Sequence, residues 1–409
     1  MIRLWAAIGA LALGVSGLTL AQDAERQTAR VELTLAGPPV EAEETATPSL
    51  FQEPVLPPGI PEEYGGGYLA QSWSLLGRED RSAQVDPSEY KRTQCLTPAD
   101  PVIGAAAVLD TIADKASGTR VVIINESHVN TLHRGFSQQI IRRLRPLDFT
   151  VFAAETFGNT NDGPDPVELY ADLAYPHYAE GSYSQEPVFG SLVRTAKQLG
   201  FVLAAYEEVS EPGAGFPTNR RLSIEARETA QAANLAALLE AMEPHERLVV
   251  HVGYSHAREK VIVEEDGWET AWMAARLKRL TGIDPLTIEQ TYCRGGSDFV
   301  RLSEANEREK GWFDLHVDHP AYGFRHGRPD WRFAQGAQAI AIPEPYASAE
   351  EPLVIEAFAE GEPFEAVPVD RVWVDPGEDV KLALKPGRYT VRAVRPSPVP
   401  SWATPKTAE

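Results

Sequence analysis

The chain has 409 residues, 43% hydrophobic and 24% charged, a composition that excludes a fibrous or wholly disordered protein. Its 59 acidic and 38 basic residues leave a formal net charge of -21, which argues against a nucleic-acid surface or a polybasic membrane patch. Two cysteines are too few for a disulfide-rich scaffold or a four-cysteine zinc site, and at about 150 residues per domain the length predicts two to three domains.

Met1-Ile2-Arg3 carries a positive charge, Leu4 to Leu20 carries none, and small residues follow at Thr19-Leu20-Ala21. This layout predicts a secretory signal peptide over residues 1–21. No later window approaches 18 uncharged apolar residues, so the mature chain is expected to lack a transmembrane segment and to be periplasmic or extracellular. Residues 22–92 crowd prolines, acids and Gly65-Gly66-Gly67 together and are expected to be a largely disordered linker.

Residues 93–345 have the pattern of an α/β domain. Asp100-Pro101 opens a helix whose Val102, Ala106, Leu109 and Ile112 recur at helical spacing. Arg120 to Ile124 is a β-branched run expected of a strand buried on both faces, and Asn130 or Thr131 caps the next helix. Phe149–Ala154, Phe201–Tyr206, Leu248–Val252 and Leu286–Thr291 continue as strands, with helices over Pro187–Leu199, Glu225–Met242 and Trp268–Leu280. Such alternation predicts a mainly parallel sheet flanked by helices. Residues 346–399 switch to period two, with turns at Pro376-Gly377 and Pro386-Gly387, and predict a small antiparallel β module. Cys95 and Cys293 fall at the edges of the α/β domain, and in an oxidising compartment they are expected to pair.

Ligands of open parallel sheets bind beyond the carboxyl ends of the strands. Those ends carry Asn125-Glu126-Ser127-His128, Glu155-Thr156-Phe157, Glu207-Glu208 and Gly253-Tyr254-Ser255-His256. A lone Glu or His at such a place is ordinarily a cap or an ion-pair member. Several strand ends delivering carboxylates and imidazoles to one rim point instead to a pocket, because a carboxylate orients an imidazole and keeps it basic. The candidate site is Glu126, His128, Glu155 and His256, with Arg134, Arg227 and Tyr254 around the ligand. Tyr322 to Trp331 mixes aromatic and basic residues in the manner of a lid, and His316, His319 and His326 are the remaining candidates for a metal.

Ile124-Asn125-Glu126-Ser127-His128 with His133-Arg134 resembles the Gly-Glu-x-His signature of the erythromycin esterase, ChaN-like and Tiki superfamily, with Asn125 in place of the glycine. Ala154-Glu155-Thr156-Phe157, the helix carrying Arg227-Glu228, Ala230 and Asn234, and Val249 to His256 are similar to that superfamily's later motifs, in the same order. The resemblance implies either a hydrolase of esters, lactones or amides, or a haem-binding protein of iron uptake. In the first, His128 or His256 is the general base, Glu126 and Glu155 orient it or the water, and an arginine steadies the oxyanion. In the second, a histidine or Tyr254 is the axial ligand. Haem and a divalent metal both stay open as cofactor, the expected partner is a small-molecule ligand or substrate, and the oligomeric state is not fixed by these patterns.

Overall fold

The computed structural model describes residues 30–398 apart from 59, 61, 94, 210–218 and 307–308; the expected signal peptide lies outside the described residues. Strands β1 (Val31–Leu35) and β2 (Val40–Glu41) come first, then helices α1 (Glu62–Leu75) and α2 (Glu79–Val85). The alternating stretch follows as α3 (Ala105–Ala116), β3 (Val121–Glu126), α4 (Thr131–Leu144), β4 (Phe149–Ala154), the short α5 (Pro166–Leu169), α6 (Pro187–Gln198), β5 (Val202–Ala204), α7 (Arg220–Ala241) and β6 (Arg247–Gly253). A small hairpin of β7 (Ile262–Val263) and β8 (Glu269–Thr270) precedes α8 (Met273–Thr281), β9 (Leu286–Glu289), β10 (Arg301–Ser303) and β11 (Leu315–Asp318). The chain ends with the β12 (Phe324–Arg325) and β13 (Arg328–Pro329) hairpin, α9 (Asp330–Ala334), β14 (Gln338–Ala341), β15 (Leu353–Ala359), β16 (Asp370–Val374), β17 (Lys381–Leu384) and β18 (Gly387–Arg395).

The central sheet is mixed, with strand order β10-β11-β9-β3-β6-β4-β5. The edge pair β10–β11 is antiparallel; every other neighbouring pair is parallel. Period two divides the strand residues between two cores. Val122, Ile124, Phe152 and Ala154 pack under α3, α4 and α6 through Ile112, Phe136, Ile140, Phe189 and Leu192. Val121, Ile123, Val250 and Val252 pack on the other face under α7 and α8 through Leu235, Leu239, Met273 and Leu277. β3 and β6 are neighbours, yet β3 feeds α4 on one face and β6 leads to α8 on the other. Their carboxyl ends therefore form a topological switch point, where such sheets leave a crevice. The register sets Glu126 opposite Gly253 and Ala154 opposite His251, so the ends of three strands lie side by side.

The Pro- and acid-rich segment departs from its expected linker character. β1 runs parallel to β18 from Val31↔Gly387 to Leu35↔Val391, and β2 pairs further along the same strand. Phe51, Trp73 and Leu76 are buried against Val354, Trp373 and Val394 of the C-terminal sheet, and the Trp73 and Trp373 rings meet edge to face at 5.9 Å. The C-terminal module accordingly does not stand alone from residue 346: its sheet, β1-β18-β15-β16 with β2 on β18, borrows both N-terminal strands, and β17 pairs with β14. Arg371 ties the parts together, donating to the Glu356 carboxylate at 2.8 Å, the Leu75 carbonyl at 3.2 Å and the Gln185 carbonyl at 2.8 Å. Gly77 lies so close to Arg371 that a Cβ there would fall 1.8 Å from the Arg371 carbonyl oxygen, which only glycine permits.

Cys95 and Cys293 form a disulfide across a sequence separation of 198, a closure worth about 5 kcal/mol in loop entropy. Among the described residues no helix is long and apolar enough to cross a membrane. A chain beginning at Thr93 would leave Val354, Trp373 and Val394 uncovered and β18 with an open edge. Losing the buried Phe51, Trp73 and Leu76 at about 1.5–3 kcal/mol each should lower the thermal midpoint by roughly 5–10 °C. An unchanged midpoint in a melt of the trimmed chain would show that the segment contributes nothing.

Candidate functional site

Glu126, the last residue of β3, is fully buried, and Arg134 one turn into α4 grips it with both arms of its guanidinium. Arg134 Nε donates to Glu126 Oε2 at 2.6 Å and Nη2 to Oε1 at 3.0 Å, while Nη2 also reaches the His128 carbonyl at 3.0 Å. Its third direction is taken by Glu186, at 3.1 Å from Nη1. Burial alone would raise the Glu126 carboxyl, but Arg134 and His128 outweigh it and hold it well below the usual carboxylate range. His128 Nδ1 lies 3.2 Å from Glu126 Oε1. Because that carboxylate carries no proton, the imidazole donates this bond, and in the neutral ring Nε2 keeps its lone pair. The His128 ring sits between Tyr183 at 4.7 Å and Tyr254 at 5.2 Å and is 22% exposed, so it opens to the surface where Glu126 does not.

Glu155 continues β4 beside β6. Its Oε2 accepts the Gly253 N–H at 2.6 Å, and its Oε1 pairs with Arg227. Burial pushes this carboxyl up, yet the charges of His256, His128 and Arg227 and the Gly253 amide bring it down to about 2. His256 follows the end of β6 in a short 3-10 turn, with Nδ1 2.6 Å from Glu228 Oε1 and Nε2 3.6 Å from Glu155 Oε1. Burial depresses the imidazolium, but Glu155 and Glu228 prevail and raise its pKa above the ordinary value. Arg227 also holds Glu207 in a two-pronged pair with Nε at 3.1 Å from each oxygen, and its Nη1 stands 3.3 Å from His256 Nε2. At Gly253 the strands leave no room for a side chain: a Cβ would fall 2.5 Å from His128 Nε2 and 3.1 Å from Glu155 Oε2. Each of the two histidines has its own carboxylate, and Glu155 touches both Gly253 and His256.

The rim residues Glu126, His128, Glu155 and His256 converge with Arg134 and Arg227. Tyr254, at φ 41°, stands beside His128 and bonds Ser127 Oγ at 3.2 Å and Glu89 Oε1 at 3.4 Å; burial and the Glu89 charge raise its phenol, which keeps it protonated. Asn234 holds the backbone instead, donating to the Tyr206 carbonyl at 3.0 Å. The sequence reading gave no role to Glu228, Glu186 or Tyr183. Adjacency to Arg227 was a signal for Glu228, which accepts the Met273 N–H at 2.7 Å and so anchors the start of α8.

The other candidates disperse. Tyr322 is packed rather than lid-like, donating to Asn130 Oδ1 at 2.8 Å with its ring against Tyr90 and Phe324, and the buried Arg328 donates to the Arg371 carbonyl at 3.0 Å. His319 meets Gln290 at 3.1 Å, His326 meets Asp379 at 2.7 Å and His316 lies 3.7 Å from Glu289, so the three do not gather around one ion. Glu289, His316 and Cys293 do lie together, but the Cys293 sulfur is spent in the disulfide and offers no thiolate. Both oxygens of Glu126 and of Glu155 already accept from N–H donors, an arrangement that suits orientation of the histidines better than metal ligation.

Two recesses border the rim. One of about 420 Å³ is lined by Tyr183, the segment from Ser49 to Pro57, Tyr68 and Leu76, and by none of the four rim residues. The other, about 210 Å³, lies beyond Tyr254 toward Glu289 and His316.

No protein-family model and no curated protein matches the chain. Solved structures similar to it include RRSP, a MARTX toxin effector domain from Vibrio vulnificus CMCP6, at 13% identity and a TM-score of 0.32, covering 64% of this chain and 48% of that one. The type III effector HopBA1 is similar at 16% identity and a TM-score of 0.34, covering 58% of this chain and 99% of the effector. The chain thus spans about half the length of the first and nearly all of the second. Likenesses of this size bear on neither activity nor substrate.

Gly253→Ala should displace His128 from Glu126 while leaving the sheet intact, at about 1–3 kcal/mol of overpacking. Imidazole NMR spectra of the variant should show shifted His128 signals and unshifted signals from His326, which lies far off against Asp379. Unmoved His128 signals would mean that Gly253 does not pack against that ring.

Proposed function

We propose that the rim is the active site of an exported hydrolase that cleaves an ester, lactone or amide bond in a small molecule. The observation that carries this reading is the pairing of each imidazole with its own buried carboxylate, Glu126 with His128 and Glu228 with His256. His128, oriented through Nδ1 by Glu126, takes a proton at Nε2 from a water molecule. The water oxygen attacks the carbonyl carbon, and the oxyanion that forms is steadied by Arg227. His256, its pKa raised by Glu155 and Glu228, gives its proton to the leaving oxygen or nitrogen as the tetrahedral species collapses. The recess beneath Ser49 to Pro57 offers the substrate room; Glu53 is the one charged side chain lining it among the described residues, which favours a neutral, partly apolar substrate.

Support for export comes from the disulfide and from the signal-like start. The order Glu-x-His, Glu-x-aromatic, Arg-Glu, Gly-x-x-His resembles that of the erythromycin esterase and ChaN-like proteins. Haem binding through Tyr254 is the less favoured alternative, since a phenol held protonated is a poor axial ligand.

Purified protein should hydrolyse one class among chromogenic esters, lactones and amides. His128→Ala should lower that rate by about 10²–10⁴-fold. Glu126→Ala combined with His256→Ala should be little worse than either change alone, because residues acting as one unit fail together. His256 is protonated below its raised pKa, so the rate should fall as pH rises through that value. Glu228→Gln removes one of the charges raising it and should move the alkaline limb to lower pH. Retained activity in His128→Ala, or a sharp Soret band on haem titration with no hydrolysis of any substrate class, would overturn the reading.

A further inference from the structure

A cleft of about 570 Å³ lies away from the rim, where the C-terminal module meets α4 and α6. Arg142 of α4, Arg194 of α6, Arg332 of α9 and Lys385 after β17 line it, and no acidic side chain does. In a chain of net charge -21 this is a local inversion of sign. The counter-ions stand behind the wall and do not suffice. Glu362 takes Arg194 at 2.8 Å, while Asp370 is shared between Arg332 and the buried Arg328. Arg142 reaches only the Thr195 hydroxyl, at 3.1 Å, and among the described residues neither it nor Lys385 has an ion-pair partner. Two further donors are buried there without a hydrogen-bond partner among the described residues, Arg194 Nη1 and Trp331 Nε1.

Like charges crowded at a domain seam cost stability, and so do buried donors left unmet. Lys385 registers the crowding: burial, then Arg142 and Arg332, lowers its pKa. Guanidinium forks match the oxygen pairs of phosphate and carboxylate, and the cleft has the volume of a drug-sized ligand.

From this juxtaposition of four cations in one cleft, two of them without an ion-pair partner among the described residues, we infer that the seam between the α/β domain and the C-terminal module binds a ligand carrying two or more phosphate or carboxylate groups. The module then has a role of its own, since Val369, Ala383, Lys385 and Tyr389 are its contribution to the wall. The ligand answers to one chemistry with two sources, a small multivalent anion or an acidic polymer.

The full chain is titrated calorimetrically with inorganic pyrophosphate and, separately, with a soluble polyuronate, at ionic strength held fixed with sodium chloride. Saturable binding of either probe, with a raised thermal midpoint, is expected, and which probe binds identifies the source. Lys385→Met with Arg142→Gln should weaken binding at least ten-fold and leave the unliganded midpoint equal or higher, because crowding is relieved. A midpoint that holds shows that lost binding is not lost folding. Failure of both probes to saturate, or equal binding by the double variant, would overturn the inference. The outcome is independent of whether the rim hydrolyses anything.

Discussion

A charge with no access to water has to be matched within the protein, and Arg134 meets that demand in three directions. Its guanidinium, 1% exposed, lies between Glu126 at the end of β3 and Glu186 before α6, and reaches back to the His128 carbonyl. Glu186 in turn accepts the Val188 and Phe189 N–H groups, each at 2.8 Å, and so caps α6. The Phe189 and Tyr183 rings lie 5.2 and 5.7 Å from the same guanidinium. One cation therefore fixes the ionisation of Glu126, the hydrogen bond that orients His128, and the start of the helix beside it. Removing one partner from such a buried set costs about 3–5 kcal/mol, which makes the rim rigid before any ligand arrives.

The parts of this arrangement that sequence could reveal are the ones encoded locally. Arg120 to Ile124 and Phe149 to Ala154 announce buried strands by their own side chains, and the residues after them mark the rim wherever the strands lie in the sheet. Strand order is not local. That β6 enters between β3 and β4, and brings His256 to Glu155, follows from pairing between residues about a hundred positions apart. Glu228 is legible only in part: its place beside Arg227 marks it, but only the fold brings His256 to it. The segment from 31 to 92 misleads most. Its composition is that of an open chain, yet Trp73 and Leu76 find a surface on β16 and β18 that no reading of residues 31 to 92 alone could supply.

Charge follows the same division between total and placement. The chain is strongly acidic, but many of its arginines turn inward and work as struts between parts. Arg371 spans the C-terminal sheet, α1 and the turn before α6; Arg78 reaches the Trp373 carbonyl at 3.2 Å and Glu378 at 2.8 Å. Such contacts, made to backbone carbonyls as often as to carboxylates, fix orientation more than they add affinity, and they join three separate stretches of chain into one body. Net charge describes the outer surface of such a protein and says little about its seams.

β18 is the last strand described, and it is also the one on which β1 and β2 lie, side by side with β15. A ribosome releases the N-terminal strands first and their partner last, after more than 300 intervening residues. For nearly the whole of synthesis β1 has no neighbour, and the Trp73 face has nothing to cover it. This sheet can therefore close only after β18 has been made, and so wide a sequence separation between contacting strands slows folding. Until then the nascent chain presents an unpaired edge and an uncovered aromatic face, the two features that chaperones shield and that aggregation exploits.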